Sequence, residues 1–215
     1  MFSIGIVAHV KRADQAQALA QQVQADYINT DDGTLGCENN HRNVWQWMAD
    51  NNTQPWSVVL EDDALPVNGF REQLAQALTV APAPIISLYL GRLRPCHWQA
   101  PINIATREAK AIDASWLTTT HLLHAVAVAI RTHLLPSLLG SYRTALAIDE
   151  HISNWTRQHQ HPVAYTWPSL VNHADGPTLV RHPDQDRRLP GRTAWAVGQR
   201  PRWTTTSTPI KAPPP

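Results

Sequence analysis

The stretch Trp56-Ser57-Val58-Val59-Leu60-Glu61-Asp62-Asp63-Ala64-Leu65-Pro66 constrains this chain more than any other. Its apolar, partly β-branched run suits a strand buried on both faces of a parallel sheet. The three carboxylates then fall at the C-terminal end of that strand, where open α/β sheets form their ligand crevice. Adjacent acids repel one another, so they cost stability unless positive charge sits among them. A hard divalent cation held by carboxylate oxygens is the simplest candidate. A solvated acidic turn is the competing reading.

The flanking segments favour an α/β domain. Phe2 to Ala8 reads as a buried strand ending in His9-Val10-Lys11-Arg12. Residues 13 to 25 place Ala16, Leu19, Ala20 and Val23 at helical spacing, and Asp26 to Asn29 reads as a second short strand leading into Thr30-Asp31-Asp32-Gly33. A strand–helix–strand opening of this length fits a parallel crossover. It lacks G-x-G-x-x-G, so the dinucleotide fingerprint is absent.

A helix follows, carrying Val44, Trp45, Trp47 and Met48. Asn68 is a candidate cap for the next helix, with Phe70, Leu74 and Leu78 on its inner face. Ile85 to Leu90 reads as a buried strand, and residues 91 to 117 as an irregular polar loop that could cover a site. His124 to Ile130 alternates like a strand. Asp149 and Glu150 open a helix, placed where its dipole favours acids. Val163 to Trp167 is the last clear strand, and residues 204 to 215 read as a disordered Thr/Pro tail.

Composition narrows the class. The 215 residues suit one sizeable core, and a formal net charge of +1 gives no global field for nucleic acid or membrane. Charge is nevertheless uneven. From Gly176 onward six Arg and one Lys face only Asp184 and Asp186, with Trp195 and Trp203 interleaved. Two cysteines, Cys37 and Cys96, give neither a disulfide framework nor zinc-ligand spacing, which fits a reducing cytosol. The apolar N-terminus is too short to span a membrane and lacks a preceding basic region. The expectation is a soluble, cytoplasmic protein.

In this order the motifs resemble glycosyltransferase family 25 and related phage-encoded glycosyltransferases of the GT-A type. Gly33-Thr34-Leu35-Gly36-Cys37-Glu38-Asn39-Asn40-His41, followed by Trp45, is similar to the family's G-E-I-G-C-x-x-S-H…W segment, with Asn40 where Ser is common. Val58 to Ala64, with Pro66 and Phe70, resembles its L-E-D-D-A…P…F segment. Ile148-Asp149-Glu150 and Pro168-Ser169-Leu170-Val171-Asn172-His173 fall where the family has a late acid and a closing P-S-L-V-x-H-like turn. The resemblance implies a GT-A-type, Rossmann-like, mostly parallel sheet flanked by helices over residues 1–180. A basic Trp/Arg-rich segment at 181–203 and the tail at 204–215 would follow.

It also implies a nucleotide-sugar donor, expected to be a UDP-sugar, with Mn²⁺ or Mg²⁺ neutralising the departing diphosphate. Glu61, Asp63 and His173 are then the candidate metal ligands, and imidazole suits Mn²⁺ better than Ca²⁺. Asp62 would lie nearer the donor ribose or sugar. His9, Arg12, Asp31 and Asp32 follow the first two strands and could hold base, phosphate and ribose, with Gly36 and His41 as further donor-side candidates. Asp149 or Glu150 is the candidate base for the acceptor hydroxyl, against a purely capping role.

Several acceptors stay open. A hydroxymethylated base in phage-type DNA would suit the basic, Trp-bearing segment, and a protein hydroxyl or a glycan is the alternative. A metal-dependent nuclease or phosphodiesterase, and a non-catalytic binding module, are the rival classes.

Overall fold

The computed structural model describes residues 1–142, 146–176, 179 and 191–213. The run Phe2–His9 forms β1, and its alternation sends Ile4 and Ile6 into one apolar layer and Val7 into the other. Helix α1 (Ala13–Val23) returns the chain to β2 (Tyr27–Asp31), and α2 (Cys37–Asn51) leads into β3 (Trp56–Glu61). Trp56, Val58 and Leu60 share the first layer and Val59 enters the second, so β3 is buried on both faces, as its sequence predicts. The chain continues through β4 (Ala64–Pro66), α3 (Phe70–Thr79), β5 (Ile85–Ser87), α4 (Gln99–Ala111), β6 (Trp116–Thr119) and β7 (Ala127–Arg131). After α5 (Leu135–Gly140) come α6 (Ile148–Gln158), β8 (Val163–Thr166), β9 (Val171–His173) and β10 (Ser207–Pro209).

Eight strands form one sheet in the order β10-β6-β8-β5-β7-β3-β1-β2. β1, β2, β3, β5 and β8 run one way and β6, β7 and β10 the other. The architecture is therefore the expected mixed α/β, Rossmann-like sheet with helices on both faces. One detail differs: β3 has a parallel neighbour in β1 but an antiparallel one in β7. Close packing of α2 on β1 depends on Gly5, where a Cβ would come within 2.6 Å of Val44 and 2.8 Å of Met48.

Five sequence expectations are corrected. Residues 91–117 are not a structureless loop, because α4 occupies thirteen of them and buries Ile102, Ala105 and Ala109. The strand expected from His124 begins at Ala127, and two strands follow Val163–Thr166 rather than none. Helix α3 is entered through Gly69 in the left-handed region (φ 61°), with no side-chain cap from Asn68. Finally, the expected disordered tail carries β10, which pairs with β6 at the sheet edge and is followed by the buried Ile210.

The described part of the basic segment also folds back on the domain. Trp203 is buried, with its indole N–H donating to Gln73 Oε1 at 3.0 Å. Arg200 donates to Asp113 Oδ1 at 2.6 Å and to the carbonyls of Ala114 and Trp167 at 3.2 Å each. Residues 181–190 of that segment lie outside the described residues.

Candidate active site

Parallel strands β1, β2 and β3 end at the same sheet edge, which brings His9, Asp31 and Glu61 to one rim. Beyond β3 the chain turns through Asp62 and Asp63 into β4. A separate two-stranded ribbon then pairs β4 antiparallel with β9, setting Ala64 opposite His173. That register carries His173, remote in sequence, to the acidic turn: its Nε2 lies 3.5 Å from Asp63 Oδ2. The amide of Ala174 donates to the Asp63 carbonyl at 2.9 Å and closes the same corner.

Glu61, Asp63 and His173 each present one potential ligand atom within 4.8 Å of the other two. Asp63 and His173 are buried, whereas the Glu61 side chain keeps 24% exposure and gives the cluster its opening. Asp63 Oδ1 and His173 Nδ1 are buried and have no hydrogen-bond partner among the described residues. A buried carboxylate oxygen left without a partner, as Asp63 Oδ1 is, costs free energy unless a ligand or ion completes it. The oxygen and nitrogen donor set fits a divalent cation of the Mn²⁺ type.

Arg12 is the positive charge already present. One guanidinium nitrogen, Nη1, donates to Asp62 Oδ1 at 2.9 Å and to Asp63 Oδ2 at 2.6 Å. Burial would lower the Arg12 pKa, but the bonds and charges of Asp62 and Asp63 outweigh it and raise it. Within the acidic group the two outer carboxyls diverge. Burial, and after it the charge of Glu61, holds Asp63 above the usual carboxylate range against Arg12 and His173. Burial opposes ionisation of Glu61 as well. There the hydrogen bond and charge of His41, whose Nε2 sits 3.0 Å from Glu61 Oε1, prevail and hold the pKa down.

The donor-side expectations divide. Asp62 accepts from the His9 amide at 2.8 Å through Oδ2 and from Arg12 through Oδ1, so both oxygens already hold the turn together. Asp31 is buried and accepts from the amides of Gly33, Leu35 and Gly36 at 2.9–3.0 Å. Its burial is overcome by those three donors, and its pKa is lowered. It thereby shapes the loop that launches α2 from Gly36 (φ 79°), instead of offering free oxygens. Asp32 is exposed and accepts from the Thr34 amide at 3.0 Å. His9 faces this loop, with Nε2 3.6 Å from where a Cβ on Gly33 would stand.

Asp149 and Glu150 sit in the first turn of α6, as the sequence predicts. Glu150 is exposed, whereas Asp149 is half-buried. Burial first, with the charge of Glu61 adding to it, pushes the Asp149 carboxyl up to about 6. Asp149 thus lies within the field of the acidic cluster, and its pKa approaches neutrality.

Some neighbours carry no sequence signal of their own. Tyr89 packs at 6.0 Å between ring centroids from His173 and edge-on at 5.1 Å from His124. His124 is held by the Arg94 carbonyl at 2.9 Å, and burial drops its pKa to about 4, so the wall is neutral. The Tyr89 hydroxyl donates to the Arg192 carbonyl at 3.2 Å, tying the returning C-terminal segment to this wall. Cys37, with its sulfur within 4.8 Å of a Glu61 carboxylate oxygen, is a half-buried thiol whose pKa is raised by desolvation and then by Glu61 and Glu38. Only its place in the Gly-Cys-His segment hinted at this position.

One comparison identifies the family. The sequence profile of glycosyltransferase family 25, described as "LPS biosynthesis protein", matches residues 7–129, more than half of the chain. No curated protein matches the chain. Among solved structures, the chain is similar to one titled "Crystal Structure of A197 from STIV", with a TM-score of 0.49 and 9% sequence identity. That match covers 93% of this chain and 98% of the other.

Proposed function

The chain belongs to glycosyltransferase family 25, and from that premise we propose that it transfers a sugar from a UDP-sugar to a hydroxyl acceptor with a divalent cation as cofactor. The observation that carries this reading is the convergence of Glu61, Asp63 and His173, which present ligand atoms within 4.8 Å of one another, with Asp63 Oδ1 buried and without a hydrogen-bond partner among the described residues. These three residues would hold the cation, which when bound neutralises the diphosphate as it leaves the sugar.

The chain's own residues supply the rest. Arg12 balances the acids and would lend positive charge to the donor's phosphates. Asp62, fixed through the His9 amide, keeps the turn in register. Asp149 takes the acceptor hydroxyl's proton, since a base with a pKa of about 6 is mostly ionised at pH 7 while remaining basic enough to work. In a single displacement the acceptor oxygen bonds to the anomeric carbon as the bond from that carbon to the phosphate oxygen breaks. The proton ends on Asp149.

The acceptor we favour is a saccharide hydroxyl, in keeping with the family's description as an LPS biosynthesis protein. Hydroxymethylated DNA is less well supported, because Trp203 is buried and Arg200 is occupied by Asp113. Among the described residues no helix is long and apolar enough to cross a membrane.

The test is a transfer assay with Mn²⁺, a panel of UDP-sugars, and saccharide, protein and hydroxymethylated-DNA acceptors. UDP release stimulated by one acceptor class, and lost in Asp63→Ala, supports the reading. Cleavage of a phosphodiester without any sugar donor would overturn it in favour of a phosphodiesterase.

A further inference from the structure

Glu61 belongs to two clusters. Besides the group it forms with Asp63 and His173, it lies with Cys37 and His41 such that one potential ligand atom from each falls within 4.8 Å of the other two. We propose that Cys37, His41 and Glu61 form a second divalent-cation site, selective for a thiophilic ion such as Zn²⁺, and that it shares Glu61 with the first.

Three features support a site rather than a chance grouping. Cys37 and His41 are four residues apart on α2, so they stand one above the other on the same helix face. That helix is fixed on every side that matters. Gly5 lets it approach β1, the Asp31 carboxylate binds the loop before it, and Asn40 donates to the Ala8 carbonyl at 2.8 Å and accepts from Asn29 at 2.8 Å. His41 is 1% exposed, and its Nδ1 is buried without a partner among the described residues.

The donor atoms set the selectivity. Sulfur, imidazole nitrogen and carboxylate oxygen together suit Zn²⁺, and three protein ligands leave a fourth position for water. The neighbouring Glu61–Asp63–His173 group has no sulfur and favours a harder ion. Binding at the second site forms a bond from Cys37 Sγ to the ion, and the thiol proton passes to water.

Because Glu61 serves both groups, a thiophilic ion here withdraws it from the harder ion. Zn²⁺ would therefore inhibit by occupying a neighbouring position, without entering the donor site. That consequence for activity rests on the glycosyltransferase reading. The existence of the site does not, so its test uses no nucleotide and no sugar.

The experiment titrates Co²⁺ and Cd²⁺ into the purified metal-free protein and follows the thiolate-to-metal charge-transfer absorption. One equivalent should develop the band, and Zn²⁺ should abolish the Co²⁺ signal. Cys37→Ser should lose it, with Zn²⁺ affinity falling by at least about 100-fold, since even outer-shell losses cost about 10–100-fold. Cys96→Ser, at an exposed and remote cysteine, and His173→Ala should both retain it. The proposal is overturned if wild type shows no band, if the band follows Cys96, or if His41→Ala leaves both band and affinity unchanged. Circular dichroism establishes that the Cys37→Ser and His41→Ala proteins are folded. A folded variant of either kind that binds like wild type counts against the site.

Discussion

Replacing Arg12 by alanine removes the side-chain cation that, among the described residues, bridges two of the three acids in the turn. Its Nη1 makes charge-assisted bonds of 2.9 Å to Asp62 and 2.6 Å to Asp63, whose side chains are only 7% and 9% exposed. Breaking one partner of a buried pair costs about 3–5 kcal/mol, because the charge left behind is uncompensated. Arg12 itself retains 16% exposure, so water recovers part of the loss and about 2–4 kcal/mol is the better figure. For a domain of this size each 1 kcal/mol shifts Tm by about 2–4 °C, giving a fall of roughly 4–16 °C in EDTA. A divalent cation at Glu61, Asp63 and His173 would replace the missing charge. Differential scanning calorimetry should therefore show a larger Mn²⁺-induced rise in Tm for Arg12→Ala than for wild type. The reasoning is refuted if the variant melts with wild type in EDTA, or if Mn²⁺ raises both by the same amount.

Other perturbations separate the remaining roles. Asp149 has its pKa raised to about 6, so the folded protein binds this proton more tightly than the unfolded chain. In the metal-free protein stability should fall as pH rises from about 4 to 6, by at most about 3 kcal/mol at 1.36 kcal/mol per pKa unit. Asp149→Asn should flatten that slope in urea titrations and abolish transfer while UDP-sugar still binds. His173→Ala should weaken Mn²⁺ binding by at least about tenfold in calorimetric titration, since it removes a ligand outright. Deleting residues 207–215 strips β10 and uncovers the pocket of Ile210. Burying such a side chain is worth about 1.5–3 kcal/mol, so Tm should drop by several degrees, whereas a disordered tail would leave it unchanged.

How much of this was legible depended on whether a signal was local. β1 and β3 declared themselves because continuous apolar runs feed both core layers, and α1 because Ala16, Leu19, Ala20 and Val23 repeat at helical spacing. Helix α4 was hidden. Its inner face is largely alanine and threonine beside Ile102, and Pro101 reads as a breaker although the first helical turn tolerates proline. β10 was hidden by Pro209, which an edge strand accepts. In the site, Glu61 and Asp63 stood out as an acid run at a strand end. His173 could be joined to them only through the order of motifs, since its position depends on the β4–β9 register. The second oxygens of Asp31 and Asp62, the bridge made by Arg12, and the wall of Tyr89 and His124 are products of tertiary placement. No spacing in the sequence encodes them.

The central claim is that Glu61, Asp63 and His173 hold a cation that binds the donor. Titrating UDP-sugars into the protein with Mn²⁺ and then with EDTA tests it most directly. The account predicts saturable binding of at least one UDP-sugar with Mn²⁺, lost in EDTA and lost in Asp63→Ala. Equal binding with and without the metal, or a folded Asp63→Ala protein that binds donor as wild type does, would contradict it.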